Sequence, residues 1–514
     1  MTDFDVDRPP ATLLRSFENA PAHRLEAAYQ HLVAALWRDG QATDAAIGAV
    51  PLLLTAMWRA EERRKGDLAV VLGLLVETEY PNTDGPIATV VRSHLDRLLD
   101  LWRLAEHENG LWQALLYLLS HFPTERSRIL DAAREVGAGA DDLSRLDRSL
   151  RTFDPGDPAP TIGRVFPHPT AWDMDEAELE FDRDWVRSLT PEQVADQWHN
   201  DSHTIFGFTG AKAYWAVRNG RPVPAVPDSL APRHPQPKDA EVGLWQRHAA
   251  AFRCPLCHSG LTFEANQALC ASCAARFPIR RGMIDLTETG HQSGEIRDEG
   301  LLFQLSKIST MGHFVEAHAR PNFKRLCGFA WDGPVNSGVE AKYIADLVRP
   351  VDGPVLDVAA GPGGWTIALA EAVGSDRVIA LDLMPVMLAA LRDRLPSVPA
   401  VVASAATLPF GTGTLGAAMC WNGPHAFFDD TEAAIREIGR CVRQGGTFTT
   451  YTFRDATDPV YRHFVHSHHF PQHEHGLRMY DIDIFRNWLD QAGFTVREQF
   501  EVGLAVFITA EKTH

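Results

Sequence analysis

The chain has 514 residues, 45% hydrophobic and 23% charged, which predicts two to four globular domains at roughly 100–200 residues each and excludes disordered or fibrous classes. With 49 basic against 67 acidic residues the formal net charge is −18, so nucleic acid is not the expected partner. No apolar run is long enough to span a bilayer, and the start MTDFDVDRPP lacks the features of a secretory signal. We therefore expect a cytoplasmic protein without membrane association.

Apolar residues recur three and four positions apart through residues 11–150, as in RLEAAYQHLVAALW and VVRSHLDRLLDLWRLA. This spacing predicts a series of amphipathic helices. Residues 45–58 and 111–130 resemble HEAT-like repeats, so we expect an all-α, HEAT-like domain over residues 1–152. Such a helical stack either binds a protein partner or only stabilises its neighbour, and the sequence favours neither interpretation.

Proline-rich stretches interrupt the helical pattern on both sides of residue 190. Residues 153–169 contain five prolines and residues 221–237 contain six, which is typical of linkers. Between them, Thr190 followed by Pro191 predicts the start of a helix. We expect residues 153–244 to form a proline-rich linker that includes one helical segment.

Four cysteines fall within twenty residues, in two Cys-x-x-Cys pairs separated by twelve residues: Cys254, Cys257, Cys270 and Cys273. Each pair directs two thiolates to one point, and two pairs complete the closed tetrahedral sulfur site of structural zinc. We expect a zinc ribbon over residues 245–290 whose metal supports folding and takes no part in catalysis. This segment has five arginines against three acidic residues, which leaves an RNA partner open.

From Pro354 the sequence PVLDVAAGPGGWTIALAEAVG reads as a buried strand, a glycine-rich turn and a helix, and the strand RVIALD follows. Small residues at Ala359, Gly361 and Gly363 let a ligand approach the backbone. Asp382 ends the second strand, where it can accept both hydroxyls of a ribose. Asp357, directly before the turn, would repel a diphosphate, so S-adenosylmethionine (SAM) is the favoured cofactor.

At this point the chain resembles the class I SAM-dependent methyltransferases of the type 11, quinone-methyltransferase-like kind. Four segments carry the resemblance in order: LDVAAGPGGWT, IALDLMPVML, VASAATLPF and CVRQGGTFTTYTF. It implies a Rossmann-like α/β domain over residues 291–514. It also implies cofactor contacts from Asp357, Ala359, Gly361, Gly363, Asp382, Leu383, Ser404, Ala405 and Asn422. Two departures stand out: Ala359 replaces the usual first glycine, and Ser404 replaces an acidic residue often found there.

A zinc ribbon directly before such a core resembles two groups, small-molecule enzymes of the quinone-methyltransferase type and rRNA guanine methyltransferases. The segments RRGMIDL and HARPNFKRLCGF resemble those of the first group. The sequence after the fourth strand, AAMCWNGPHAFFDD, is where the superfamily places residues that face the substrate. His425 is the candidate catalytic residue there, either as a base or by orienting the acceptor, and a structural role is the alternative.

Two further features belong to the expected acceptor side. Trp421 can stack on an aromatic acceptor or simply pack in the core. Six histidines lie between His463 and His475, among them His469, a candidate substrate contact. A substrate-covering element, a second metal site and a solvated helix all remain open for this segment.

Together these features predict a multidomain protein: an all-α HEAT-like domain, a small zinc ribbon and an α/β Rossmann-like methyltransferase domain. The expected function is SAM-dependent methylation of a small molecule, aromatic or quinone-like, in specialised natural-product metabolism. A protein partner at the helical domain stays open beside a purely stabilising role. The alternatives are an rRNA base methyltransferase and a SAM-binding scaffold or carrier-docking protein that transfers no methyl group.

Overall fold

A computed structural model describes residues 8–158, 160–162, 174–224, 234–287, 307–328, 336–468 and 479–514. The chain divides into two compact units, each made of three segments. The first unit comprises Met1–Ala171, Val186–Ala225 and Ala456–Leu477; the second comprises Trp172–Trp185, Val226–Asp455 and Arg478–His514. Among the residues just given, no helix has the length and apolar character needed to cross a membrane.

The N-terminal part of the chain is helical, as the apolar spacing predicts. Its helices are α1 (Pro10–Glu18), α2 (Ala22–Leu36), α3 (Ala46–Arg59), α4 (Glu62–Glu77), α5 (Pro86–Arg92), α6 (Leu95–Leu104), α7 (Gly110–Leu119), α8 (Arg126–Glu135), α9 (Ala140–Ser149), α10 (Glu176–Ser188) and α11 (Pro191–Asn219). Two short strands, β1 (Trp37–Arg38) and β2 (Gln41–Ala42), form an antiparallel pair between α2 and α3.

Helices α4, α7 and α11 supply much of the core of the first unit. At Gly110 an added Cβ would lie 2.6 Å from the Cα of Val217, so only glycine lets the backbones of α7 and α11 come this close. The helix predicted at Thr190 is confirmed. The Thr190 side chain accepts the backbone N–H of Gln193 in a reciprocal capping box, with Pro191 at the first helical position.

The second unit is built on a sheet whose strands are β3 (Leu261–Phe263), β4 (Gln267–Cys270), β5 (Arg276–Arg280), β6 (Met283–Asp285), β7 (Val355–Val358), β8 (Val378–Asp382), β9 (Ala400–Val402), β10 (Ala417–Trp421), β11 (Thr447–Phe453), β12 (Phe494–Val502) and β13 (Ala505–Lys512). Their spatial order is β12-β13-β11-β10-β7-β8-β9-β6-β5-β4-β3. Strands β7 to β11 run parallel, and β13 is antiparallel to β11. The chain order reverses at β7, the place where such sheets bind ligands. The predicted Rossmann-like fold is confirmed.

The later helices are α12 (Gly243–Gln246), α13 (Met311–Phe314), α14 (Arg320–Gly328), α15 (Ser337–Leu347), α16 (Gly364–Val373), α17 (Pro385–Arg394), α18 (Thr431–Cys441), α19 (Pro459–His466) and α20 (Ile482–Gln491). A π-helical turn, Val315–Ala319, joins α13 to α14. Strand β7 leads into α16 and β8 into α17, so the loops after both strands lie at one edge of the sheet.

The four-cysteine segment continues this sheet. Strands β3, β4, β5 and β6 pair antiparallel in sequence order, and β6 then pairs parallel with β9. A continuous core accompanies the pairing, because the ring of Phe252 lies 5.1 Å from that of Phe263 and 5.0 Å from that of Phe410. The segment therefore covers an edge of the parallel sheet that would otherwise expose unpaired backbone groups.

Helix α19, which carries the first of the clustered histidines, belongs to the first unit although it follows β11 in the chain. The Phe464 ring packs where Gly210 of α11 has no side chain. His463 Nε2 lies 2.9 Å from Glu77 Oε1 of α4, and its ring lies edge-on to that of Trp37 at 5.0 Å. This part of the histidine-rich segment thus contributes to the core of the helical unit.

Candidate functional site

The loop after β7 adopts the backbone conformation that a glycine-rich turn requires. Ala359, Gly361 and Gly363 have φ values of 56°, 56° and 90°. At Gly363 an added Cβ would lie 2.8 Å from Leu391 Cγ, so glycine permits the close approach of α17. Ala359 holds the left-handed conformation despite its methyl group, at a cost in conformational energy. The structure therefore tolerates the departure noted at Ala359.

Asp382 ends β8 and faces this loop. Its Oδ2 accepts the backbone N–H of Gly361 at 2.8 Å, and its Oδ1 accepts that of Met384 at 2.9 Å. Burial raises the pKa of Asp382, and the backbone donors oppose that rise. The Leu383 backbone N–H also acts on this carboxylate, and since a carboxylate has about four lone-pair sites, Asp382 can accept a further hydrogen bond. Leu383, next in the chain, is partly exposed beside it.

Asp357 lies within β7 and is 1% exposed. Its Oδ2 accepts a hydrogen bond from Thr366 Oγ1 at 2.6 Å. Burial raises the pKa of Asp357 to about 7, although the Thr366 hydroxyl and the Arg320 guanidinium oppose the shift. Since Thr366 belongs to the first turn of α16, Asp357 fastens that helix to β7 from behind the glycine loop.

The adenine-side segment follows β9. Ser404 Oγ accepts the backbone N–H of Ala406 at 3.1 Å, and the Ser404 carbonyl accepts that of Thr407 at 3.3 Å. Ser404 and Ala405 are both partly exposed. A turn held by the serine side chain takes the place of the acidic residue that the resemblance leads one to expect.

Two polar side chains after β10 have buried atoms without hydrogen bonds, Oδ1 of Asn422 and Nδ1 of His425. Asn422 has φ of 59°, and its backbone N–H donates to the Tyr451 carbonyl at 3.0 Å. Burial lowers the pKa of His425 to about 3, so the imidazole is neutral. The rings of Phe323 and Phe453 lie 4.8 and 5.4 Å from it. Unsatisfied polar atoms at the carboxyl end of a central strand fit a ligand that supplies their missing partners.

Trp421 lies in a buried aromatic cluster of the same domain. Its ring centre is within 6 Å of those of Tyr343, Trp365, Tyr451 and Phe507. Its Nε1–H donates to Glu340 Oε2 at 2.8 Å. In the structure the Trp421 ring therefore packs among other rings and has a hydrogen-bond partner. Its stacking on a methyl acceptor stays a prediction.

Four charged residues of the second unit lie at or near the glycine loop after β7, and the sequence analysis did not single them out. They are Glu316, Arg320, Lys324 and Glu340. Glu316 and Arg320 contact the loop itself. Glu340 pairs with Lys324, whose ammonium lies 4.9 Å from the centre of the Trp365 ring. Burial lowers the pKa of Lys324, and Glu340 opposes the shift. Glu316, Arg320 and Lys324 are spaced four residues apart, which places them on one face of a helix. This spacing in the sequence could have identified these three residues.

The four cysteines come together as predicted. All four Sγ atoms lie within 4.8 Å of one another, with 3.7 Å between Cys254 and Cys273 and 3.4 Å between Cys257 and Cys270. Four sulfurs around a tetrahedral zinc at about 2.3 Å are about 3.8 Å apart. The arrangement therefore fits one zinc ion with no open coordination position.

The histidine-rich segment is described only in part. His469 lies outside the described residues. His463, His466 and His468 belong to no group of three or more ligating side chains in the portion of the chain that the structure describes. A second metal site there stays a prediction.

The strand order, the glycine loop after β7 and the carboxylate at the end of β8 are features of a Rossmann-like domain. Residues 355–446 match the family model of a methyltransferase domain. The chain therefore contains a methyltransferase domain of the SAM-dependent class.

A curated relative is the demethylmenaquinone methyltransferase of Corynebacterium kroppenstedtii, 37% identical over 107 residues, which are 21% of this chain and 44% of the relative. The chain thus spans less than half the length of that relative.

Solved structures with some likeness include a putative methyltransferase from Bacillus halodurans, with 18% identity, 35% and 99% of the two chains covered and a TM-score of 0.30. Another is a complex of the Haloferax volcanii Trm112 methyltransferase activator and a putative methyltransferase, with 18% identity, 35% and 89% covered and a TM-score of 0.29. Likeness at such TM-scores carries no argument about function.

Proposed function

We propose that this protein is a SAM-dependent methyltransferase that acts on a small-molecule acceptor, aromatic or quinone-like. The glycine loop and Asp382 are the observation that carries the proposal. Asp382 accepts backbone hydrogen bonds from Gly361 and Met384 and can still accept one from a ribose hydroxyl. The strand order around this loop is that of a methyltransferase. The likeness to a demethylmenaquinone methyltransferase supports a quinone-like acceptor. A place in specialised metabolism is part of the same proposal.

The residues present fit the cofactor. Asp382 would hold the ribose hydroxyls, and Leu383, Ser404 and Ala405 would line the adenine side. The backbone of Ala359, Gly361 and Gly363 would face the amino-acid end, with Asp357 supporting the loop from behind. Asn422 has an unsatisfied oxygen for a donor on the ligand. When bound, SAM supplies an electrophilic methyl group.

His425 is the proposed acceptor-side residue. Because its imidazole is neutral in this apolar setting, it can accept a hydrogen bond from an acceptor hydroxyl and orient the oxygen or the adjacent ring carbon. Orientation suits this histidine better than strong base catalysis, since burial disfavours the charged imidazolium. His469 and Trp421 remain proposed substrate contacts.

The other parts receive structural and partner roles. The four cysteines would bind structural zinc in a ribbon whose strand β6 extends the sheet of the methyltransferase domain. The N-terminal helices would form HEAT-like repeats that bind a protein partner. Both assignments are proposals, as are the domain limits given from the sequence and the cytoplasmic location.

The acceptor class is tested by incubating the full chain with SAM carrying a labelled methyl group. The two acceptors, offered in parallel, are a reduced naphthoquinone with an unsubstituted ring carbon and total RNA. We expect label in the organic-extractable product and little change between 50 and 200 mM salt. Label in RNA that falls steeply over the same salt range would instead favour an rRNA methyltransferase. Tight SAM binding without transfer to either acceptor would favour a scaffold.

A further inference from the structure

Two side chains of opposite charge contact the glycine loop: Glu316 of the π-helical turn between α13 and α14, and Arg320, the first residue of α14. An added Cβ at Gly361 would be 3.0 Å from an Arg320 nitrogen, and one at Gly364 would overlap the Glu316 carboxylate. Both side chains therefore touch the backbone where α16 begins. π-Helical turns occur frequently at functional sites.

Glu316 is held by two arginines at this position. Arg320 Nη1 lies 3.0 Å from Glu316 Oε2, and Arg394 Nη1 lies 3.7 Å from Glu316 Oε1. The side chains of Glu316 and Arg320 are each only 14% exposed. A carboxylate thus fills an almost enclosed space between two guanidinium groups and the glycine loop.

Arg320 also faces the proposed cofactor site. Its charge lowers the pKa of both Asp357 and Asp382, against the effect of burial. The amino-acid end of SAM is joined to the ribose through the sulfonium, so a ribose held by Asp382 brings that carboxylate near this loop. A guanidinium is the group best suited to bind a carboxylate through two parallel hydrogen bonds.

We propose that Arg320 binds the amino-acid carboxylate of SAM and that Glu316, which holds Arg320 in this structure, competes with that carboxylate for it. The inference rests on the proposed function, because it assumes that the loop binds SAM. Glu316 is then an internal competitor that weakens cofactor binding. Its carboxylate leaves the two arginines whenever the cofactor carboxylate arrives.

The test is calorimetric titration of the full chain with two ligands, S-adenosylhomocysteine and 5′-methylthioadenosine, which lacks the amino-acid end. We expect Glu316→Gln to tighten binding of S-adenosylhomocysteine several-fold and Arg320→Gln to weaken it about tenfold or more. Neither variant should change the affinity for methylthioadenosine.

Asp346→Asn is the matched control. Asp346 pairs with Lys342, four residues earlier in the same unit, at 2.6 Å. The variant therefore also removes one carboxylate from an ion pair, and it should leave the affinities for S-adenosylhomocysteine and methylthioadenosine unchanged. Circular dichroism of each variant checks folding, and the methylthioadenosine affinity checks the rest of the site.

Weaker or unchanged binding of S-adenosylhomocysteine by Glu316→Gln, or equal changes for both ligands, would overturn the inference while leaving the proposed function intact. Failure of the unmodified chain to bind either ligand would overturn the proposed function itself, and the inference with it.

Discussion

His425 is buried between two phenylalanine rings, and this setting has a consequence for stability. Its pKa is about 3 in the folded chain against an ordinary 6.5, so between these pH values the unfolded chain holds a proton that the folded chain lacks. The contribution of His425 to the free energy of unfolding therefore falls as the pH drops through this range. At pH 5 the histidine costs about 2 kcal/mol relative to pH 7.

We predict that His425→Gln gains about that amount of stability relative to the unmodified chain when the pH is lowered from 7 to 5, measured by urea unfolding. An unchanged pH dependence in the variant would show that the imidazole is already protonated or exposed in the folded protein.

Asp357 has the opposite effect on the pH dependence of stability. Its pKa is about 7 against an ordinary 3.8, so over this range the folded chain holds a proton that the unfolded chain lacks. The contribution of Asp357 to the free energy of unfolding therefore falls as the pH rises from about 4 to about 7. Asp357→Asn keeps an acceptor for the Thr366 hydroxyl and removes the titration. We predict that, as the pH rises over this range, the free energy of unfolding of the variant increases relative to that of the unmodified chain, measured by urea unfolding. The same pH dependence in both proteins would contradict the prediction.

Glu340 and Lys324 form a buried ion pair, with Glu340 1% exposed. We predict that Glu340→Gln costs about 3–5 kcal/mol, because it leaves the Lys324 ammonium buried without a counter-charge. The double variant Glu340→Gln, Lys324→Met should recover most of that loss in urea unfolding. Equal destabilisation of the single and double variants would show that packing around Trp421, and not charge, sets the cost.

The ribbon is the element that a metal should hold in place, because its strands are short and β6 pairs directly with β9. We predict that Cys254→Ser removes most of the zinc, one ion per chain, and increases hydrogen exchange in β6 and β9. Cys441→Ala, at a buried thiol outside the cluster, should retain the metal. Full zinc content in Cys254→Ser would rule out the four-thiolate site.

Elements set by local spacing were predictable from the sequence. Two Cys-x-x-Cys pairs and one glycine-rich turn fix their geometry within a few residues, and the structure brings each together as the spacing indicates. The capped helix that begins after Thr190 follows from local chemistry in the same way.

Contacts between distant parts of the chain were not predictable in this way. His463 meets Glu77 across 386 positions, and Glu316 reaches Gly364 from a preceding helix. The sequence shows six clustered histidines and a charged helix face, but periodicity carries no information about which distant backbone a side chain will contact. For the same reason Trp421 can be read as an acceptor platform in the sequence, whereas in the structure it packs among four other rings.

For the molecule as a whole, the principal proposal is that the site at the β7–β8 edge of the sheet binds SAM. It is tested most directly by calorimetric titration of the full chain and of Asp382→Ala with S-adenosylhomocysteine. We predict one site per chain in the unmodified protein and a loss of affinity of at least about tenfold in the variant, since the ribose hydroxyls lose a charged acceptor. Equal affinity in both proteins, or no binding to the unmodified chain, would contradict the assignment.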